Sequence, residues 1–306
     1  NHKTYLGEES DYYYTAAKKA AKEVINAYTL CPDYEALFMG DNGENPDARN
    51  EIVYASCYDA TRTQSYGGAT YLIAASQGNL KDGDKKRLGT TEAWSGLVTS
   101  TEFVAKLIGQ GNADAAEAGA EPTFTSVDKR ALVSLRFSDD KTMNGSDFTA
   151  GWHVWKFNNN RFLDPETDYS ERDKFVSIDF PMIRAAEMYL AYAEAQARID
   201  GGTTSDETAV GYIAELQQRA GVPVASQVLG PVTLENIFDE ITRELYWEGF
   251  RRTTLIRFDK FTSGSYLWPL KGGVASGQAL SDHLKLFPLP ADDMQVNDNL
   301  VQNPGY

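Results

Sequence analysis

Histidine and cysteine are scarce in this chain, and no apolar run in it approaches the roughly 18 residues needed to span a bilayer. His2, His153 and His283 stand alone, with no neighbouring Cys or His at ligand spacing, so no zinc site is expected. Cys31 and Cys57 form no C-x-x-C and read as buried or free thiols, with a disulfide as the alternative. No G-x-S-x-G elbow, P-loop or dinucleotide fingerprint is present, so no cofactor is expected. Asp164-Pro165-Glu166-Thr167-Asp168 imitates the opening of a calcium loop. It then places Tyr169 where glycine is required and Phe175 where glutamate is required, and reads as a solvated acidic loop. Positive charge is also in deficit: 29 Lys and Arg face 44 Asp and Glu, a formal net charge of −15. Such a surface repels phosphate backbones and anionic lipid, which argues against nucleic acid and against direct membrane adsorption. A neutral or cationic ligand fits better. There is no basic and apolar leader at Asn1, which suits a cytosolic protein, a mature chain or a fragment alike.

What remains is ordinary globular material of 306 residues, 42% hydrophobic, with a large complement of 17 tyrosines. Residues 12–28 predict a helix, with Tyr13, Ala17, Ala20, Val24 and Tyr28 as its stripe and Pro32 beyond its end. Residues 41–180 are irregular. Turn residues crowd 41–47, 67–68 and 81–84. Short strands are expected over 51–55, 131–137 and 153–157, the last two paired. A short helix is expected over 100–110, and 113–118 is helix-prone. Irregular stretches of this length are often functional.

From Pro181 a helical period takes over. Ile183, Ala186, Leu190, Ala193 and Ala197 form one stripe, with Pro181 near the helix start and Gly201-Gly202 closing it. Thr204 and Glu207 suggest a capping box for a second helix striped by Ala209, Ile213, Leu216 and Ala220, and stopped by Gly221 and Pro223. A third helix is predicted from Thr233 to about Gly249, with Ile237, Ile241 and Leu245 inward. The fold class is therefore mostly α: tetratricopeptide-like hairpins, with Tyr192 and Tyr212 as large fillers, plus long loops and a few short strands. Glu187, Glu194, Arg219, Arg243, Glu244, Glu248 and Arg251 read as an ion-pair network between packed helices, with Glu244, Glu248 and Arg251 on one face. A catalytic carboxylate pair would need an open cleft instead.

Several segments carry more than periodicity. Residues 180–195 resemble the pattern P-x-I-R-x-A-E/D-x-Y-L-x-Y-A-E-A, and Arg219-Ala220-Gly221 resembles an R-x-R-A-G ending. Residues 240–252 are similar to E-R-x-x-E-L-x-x-E-G-x-R, and 255–258 to the D-L-x-R-W that follows it. Phe287-Pro288-Leu289-Pro290 resembles F-P-I-P, and 299–306 resembles N-P-x-L-x-Q-N-P-G-Y. Earlier, 16–28, 34–38, 51–54, Trp94-Ser95-Gly96 and Asp128-Lys129-Arg130 agree more loosely with further motifs. Together these identify the chain as resembling the SusD/RagB family over its whole length. Ile241 and Thr254 depart from the pattern, which has Arg and Asp there.

The resemblance implies one SusD-like domain over 1–306, incomplete at its N-terminus, with a scaffold helix at 12–28, a ligand-binding loop region at 41–180 and a signature helical region at 181–306. It implies a non-enzymatic, lipid-anchored protein of the outer-membrane surface, held to the membrane only through an anchor on a preceding segment. Such a protein binds oligosaccharide or polysaccharide and hands it to a SusC-like TonB-dependent transporter. It also implies ligand aromatics in the middle region. A pyranose offers apolar faces and a hydroxyl rim, so rings and a few polar groups should converge. The stretch 58–71 with Trp94 is richest in these: Tyr66 and Trp94 are the expected stacking residues and Arg62 a hydroxyl partner, with Tyr58 and Tyr71 beside them. Against this, loop Tyr and Trp residues are often simply packed. Tyr266 and Trp268 form a second, weaker patch. The rival readings are a peptide-binding member of the family, a glycoside hydrolase with two suitably spaced carboxylates, and a plain repeat scaffold for protein partners.

Overall fold

In the computed structural model, residues 4–5, 8–77, 88–109, 128–134, 147, 150–165 and 174–306 are described. The turn expected at 81–84, the helix-prone 113–118 and most of the acidic loop at 164–168 lie outside them. Contacts divide the chain into two units, Asn1–Glu248 and Gly249–Tyr306.

The centre of the first unit is helix α5, Ala185–Ile199. (The helices before it are α1, Ser10–Ala27; α2, Pro46–Glu51; α3, Gly68–Ser76; and α4, Thr101–Ile108.) Ala185, Ala186, Leu190, Ala193 and Ala197 are all buried, and the small alanines among them let α1, α6 (Glu207–Arg219) and α7 (Leu234–Leu245) approach closely. Helix α1 turns a different face inward from the one its alanines predict. Ala21 and Ile25 are buried, while Ala17 and Ala20 are exposed. Alanine favours helix without choosing a side. Long stems choose it here: Lys18 lies 5.0 Å over the Tyr192 ring and Lys22 4.9 Å over the Tyr212 ring.

Three boundaries differ from expectation. Pro181 opens no helix. Phe180–Arg184 is a strand paired antiparallel with Ile52–Ser56, and Ile183 is 41% exposed. Among the described residues the ribbon has two strands, and it shifts register, which tolerates a proline without an N–H. The cap of α6 is Asp206, which accepts from the Ala209 amide at 2.8 Å, while Thr204 sits in a short strand pairing with Val232–Thr233. The reciprocal capping box occurs at the next helix, between Thr233 and Asn236. Helix α7 stops at Leu245, because Tyr246 is extended and Trp247 has φ +63°. Its terminal Glu244 carbonyl is taken by the Tyr34 hydroxyl at 2.7 Å, by Arg184 at 2.8 Å and by Lys156 at 3.1 Å, so the chain has no need of another turn. Gly201 and Gly202, both at positive φ, do close α5 as expected.

The loop region builds a three-stranded sheet in which Trp152–Val154 lies between Val98–Thr99 and Val133–Ser134. The pairing expected between the 131–137 and 153–157 segments is thus present in Val133 with Val154. A core of Tyr34, Leu37, Phe38, Ile73, Phe157 and Ile178 underlies the region. Cys31 is buried and Cys57 exposed, both as free thiols, so the disulfide alternative falls away. Burial pushes the Cys31 thiol up to about 11.

The second unit contains α8, Arg251–Arg257, and α9, Ala291–Val296. Its loop is gathered around Lys271, whose buried ammonium donates to the Ser263 carbonyl at 2.5 Å and the Tyr266 carbonyl at 2.7 Å, under the Trp268 ring at 4.5 Å. Among the described residues no helix is long and apolar enough to cross a membrane.

Candidate functional site

Two groups of chemistry-bearing side chains stand out in the first unit, one sealed and one open. The sealed group is the ion network. Arg130 grips Asp128 through Nε–Oδ1 at 2.9 Å and Nη2–Oδ2 at 2.8 Å, and reaches Glu240 at 2.5 Å and Glu244 at 3.0 Å. Arg184 holds Glu51 at 2.8 Å, Glu244 at 2.5 Å and Glu248 at 2.7 Å. Arg219 joins Glu51 at 3.0 Å and also binds Glu244. Lys156 holds Glu248 at 2.6 Å, and Arg243 holds Glu240 at 2.9 Å.

Burial would raise Glu244, but Arg219, Arg184 and Arg130 outweigh it and hold the carboxyl well below the usual range. Glu240 is lowered likewise, with burial opposing and Arg130 and Arg243 prevailing. Burial dominates at Lys156 and brings it down to about 7 in spite of Glu248. Both oxygens of Glu244 are occupied by guanidinium groups and the residue is fully buried, so it cannot meet a substrate proton. Of the expected set, Arg219, Arg243, Glu244 and Glu248 do join one network, centred on Glu244, whereas Glu194 pairs with Arg198 along its own helix at 2.9 Å. The single helix face expected for Glu244, Glu248 and Arg251 does not form, because α7 ends at Leu245; Arg251 belongs to helix α8 and donates to the Tyr266 hydroxyl at 2.7 Å.

The open group is aromatic. Asp59 begins a turn, accepting from the Thr61 amide at 2.9 Å, and Arg62 pairs with it at 3.5 Å with its side chain 85% exposed. The chain then passes Tyr66 and enters α3 through Gly67-Gly68. Gly68 has φ +58°, and a Cβ there would lie 1.9 Å from the Tyr58 hydroxyl. Tyr58 is therefore tucked beneath the helix start and packs on the core. Tyr71 stands on α3, a helix where the sequence reading placed a loop.

The Trp94 loop docks on the C-terminal end of α3. The Trp94 amide donates to the Ala74 carbonyl at 2.8 Å, the Leu97 amide to Ala75 at 3.1 Å and the Ser95 amide to Gln77 at 3.2 Å. The Ser76 carbonyl meets Nδ1 of buried His153 at 2.8 Å. The carbonyls that a helix end leaves bare are thus used to hold the loop. Trp94 directs its indole N–H to Glu92 at 2.8 Å. The result is a continuous set of rings. Tyr66 lies 5.6 Å from Trp94 and 5.0 Å from Phe175, and Tyr71 lies 6.3 Å from Trp94. Tyr66 is 50% and Tyr71 49% exposed, unusual for adjacent large rings in a well-packed chain.

Of the five residues selected from sequence, Tyr66, Tyr71 and Trp94 come together, Tyr58 goes to the core and Arg62 faces solvent beside Asp59. Phe175 is the member sequence reasoning missed as a ring of this cluster. Only its aromatic character hinted at it, since its neighbours arrive from distant parts of the chain. In the second unit, Tyr266 and Trp268 lie 6.2 Å apart and half-buried, with Lys260 over Tyr266 at 4.9 Å. Among the described residues no group of three His, Cys, Asp or Glu is placed to hold a metal.

Antiparallel helix pairs, few and short strands, and loops that converge on one exposed aromatic cluster define a helical-hairpin scaffold with a loop-borne candidate site. The chain belongs to the SusD family, whose profile matches residues 1–306. It is 32% identical over 324 residues to the starch-binding protein SusD of Bacteroides thetaiotaomicron, an alignment covering 96% of this chain and 56% of that protein. The chain thus spans a little over half the length of that relative. Among solved structures it resembles surface glycan-binding protein A from Bacteroides thetaiotaomicron in complex with laminarihexaose, with TM-score 0.63, 20% identity, and 96% of this chain against 60% of that one. It also resembles a SusD superfamily protein from Parabacteroides distasonis, with TM-score 0.63, 20% identity, and 100% of this chain against 60% of that one. At these identities the solved structures establish the fold.

Proposed function

We propose that this chain forms part of a cell-surface glycan-binding protein that captures oligosaccharide on Tyr66, Tyr71, Trp94 and Phe175 and performs no chemistry on it. The exposed cluster carries the reading. Adjacent half-exposed rings, fixed from below by a helix end, suit the apolar face of a pyranose. Neutral sugar is also compatible with a net charge of −15. The starch-binding and glycan-binding character of the relatives supports the same class of ligand. Arg62 and Glu92 lie in the segments flanking the rings and are proposed to serve the hydroxyl rim. The wider role follows the family: lipid anchoring at the outer membrane and delivery to a SusC-like TonB-dependent transporter.

Binding to soluble starch and laminarihexaose, measured by affinity electrophoresis and calorimetry beside a peptide library, tests the reading. Trp94→Ala should lower glycan affinity by about five-fold or more, taking a ring stacked on its ligand to be worth about 1–3 kcal/mol. Peptide capture with silent glycans would move the assignment to a peptide receptor. Release of reducing sugar, abolished by one Glu substitution, would make the protein a hydrolase.

A further inference from the structure

Two buried amides lie behind the rings rather than among them. Gln77 follows α3 and is completely buried. Its Nε2 donates to the carbonyls of Thr90 at 3.0 Å and Glu92 at 2.9 Å, and its Oε1 accepts from the Leu88 amide at 2.9 Å. Asn159 is buried as well. Its Nδ2 donates to the Gly89 carbonyl at 2.8 Å, its Oδ1 accepts from the Ser177 amide at 2.8 Å, and its own amide donates to Leu88 at 2.9 Å. The orientation of both amides is fixed by these partners, because a flip would set oxygen against carbonyl oxygen.

We infer that Gln77 and Asn159 are positioning residues that set the spacing of the aromatic cluster without touching ligand. The inference rests on that cluster being the glycan site. Gln77 joins the helix bearing Tyr71 to the loop bearing Trp94. Asn159 joins that same loop, through Gly89, to the segment bearing Phe175, through Ser177. The Thr90 hydroxyl closes the third side by donating to the Lys174 carbonyl at 3.1 Å. Asn159 is itself fixed to the core, since the Asn158 amide donates to Phe38 at 2.9 Å and the Gly40 amide to Asn160 at 2.8 Å. The fit is close. A Cβ on Gly89 would lie 2.5 Å from the Asn159 carbonyl carbon, and one on Gly40 would lie 2.3 Å from the Asn159 oxygen. Tyr66 bridges the Trp94 and Phe175 walls, so a change in their separation is a change in the platform.

Isosteric acids test this with little change in volume. Gln77→Glu keeps the acceptor for Leu88 but turns an oxygen toward the Thr90 and Glu92 carbonyls, and Asn159→Asp does the same toward Gly89. A buried group left without its partner shifts the loop by an amount that should cost about ten-fold in affinity. The milder Thr90→Val should cost about three-fold, and it keeps the test alive if either acid fails to fold. The probes are soluble starch and laminarihexaose, with helical circular dichroism as the folding check. The decisive readout is the double-mutant cycle with Trp94→Phe. If the amides act through Trp94, their effect shrinks to less than half in that background, whereas general loosening would cost the same in both. Variants that lower the melting temperature but leave affinity within two-fold, while Trp94→Ala still loses binding, overturn this inference alone. Wild-type chain that binds neither glycan, or binding indifferent to Trp94→Ala, overturns the glycan site and this inference with it.

Discussion

Glu244→Gln is the sharpest test of how the helical unit holds together. The side chain is fully buried and accepts from Arg184 and Arg219 through one oxygen and from Arg130 through the other. Glutamine has nearly the same shape but no charge, and its amide nitrogen must face a guanidinium. The substitution therefore strips three cations of a shared partner while they remain sealed from water. Breaking a buried pair by removing one member costs about 3–5 kcal/mol, largely through the charge left behind. For a unit of this size, about 2–4 °C in Tm accompanies each kcal/mol, so a loss of about 6–20 °C is expected. Thermal unfolding followed by circular dichroism at pH 7 measures it. The pH dependence supplies a second check. Glu244 is depressed in the folded state, so between its folded pKa and the usual 4.5 the unfolded chain binds the extra proton. Its contribution is complete above about pH 4.5 and is lost as the pH falls through the depressed value, and the variant should show a shallower acid decline. A Tm within about 2 °C of wild type, with an unchanged acid limb, would refute the reasoning.

Other predictions follow from single sites. Lys156 is lowered to about 7 by burial, so from pH 7 to 10.5 the unfolded chain holds a proton the folded one lacks, and stability should rise with pH across that window. Lys156→Met should flatten the rise, as melting curves at stepped pH would show. Gly68→Ala should cost about 1–3 kcal/mol, from the left-handed backbone and the Tyr58 hydroxyl, and adding Tyr58→Phe should recover part of it in urea unfolding.

Helical period exposed the pairs around 185–245 because their burial is local and repeats every three to four residues. The same signal failed at α3, where six of nine residues are buried and no polar face marks a helix. It failed at Pro181 because strand pairing with 52–56 is a long-range choice. It overran α7, whose end is fixed by Tyr34, Lys156 and Arg184 from elsewhere in the chain. The aromatic cluster was half legible. Tyr66 and Tyr71 share a composition-rich stretch with Trp94 downstream of it, while Phe175 and the two amides acquire meaning only from what folds against them.

The sealed charges also bear on how this unit assembles. Glu51, Asp128–Arg130, Lys156, Arg184, Arg219 and α7 come from separate stretches of chain, and a guanidinium accepts few geometries. Until all of them are in place, each ion is better off in water than beside an incomplete set of partners. A helix pair docked one turn out of register would strand a charge. The network is therefore expected to discriminate against wrongly registered packings, and Lys156 and Arg130 bring the loop region that carries the rings under the same constraint.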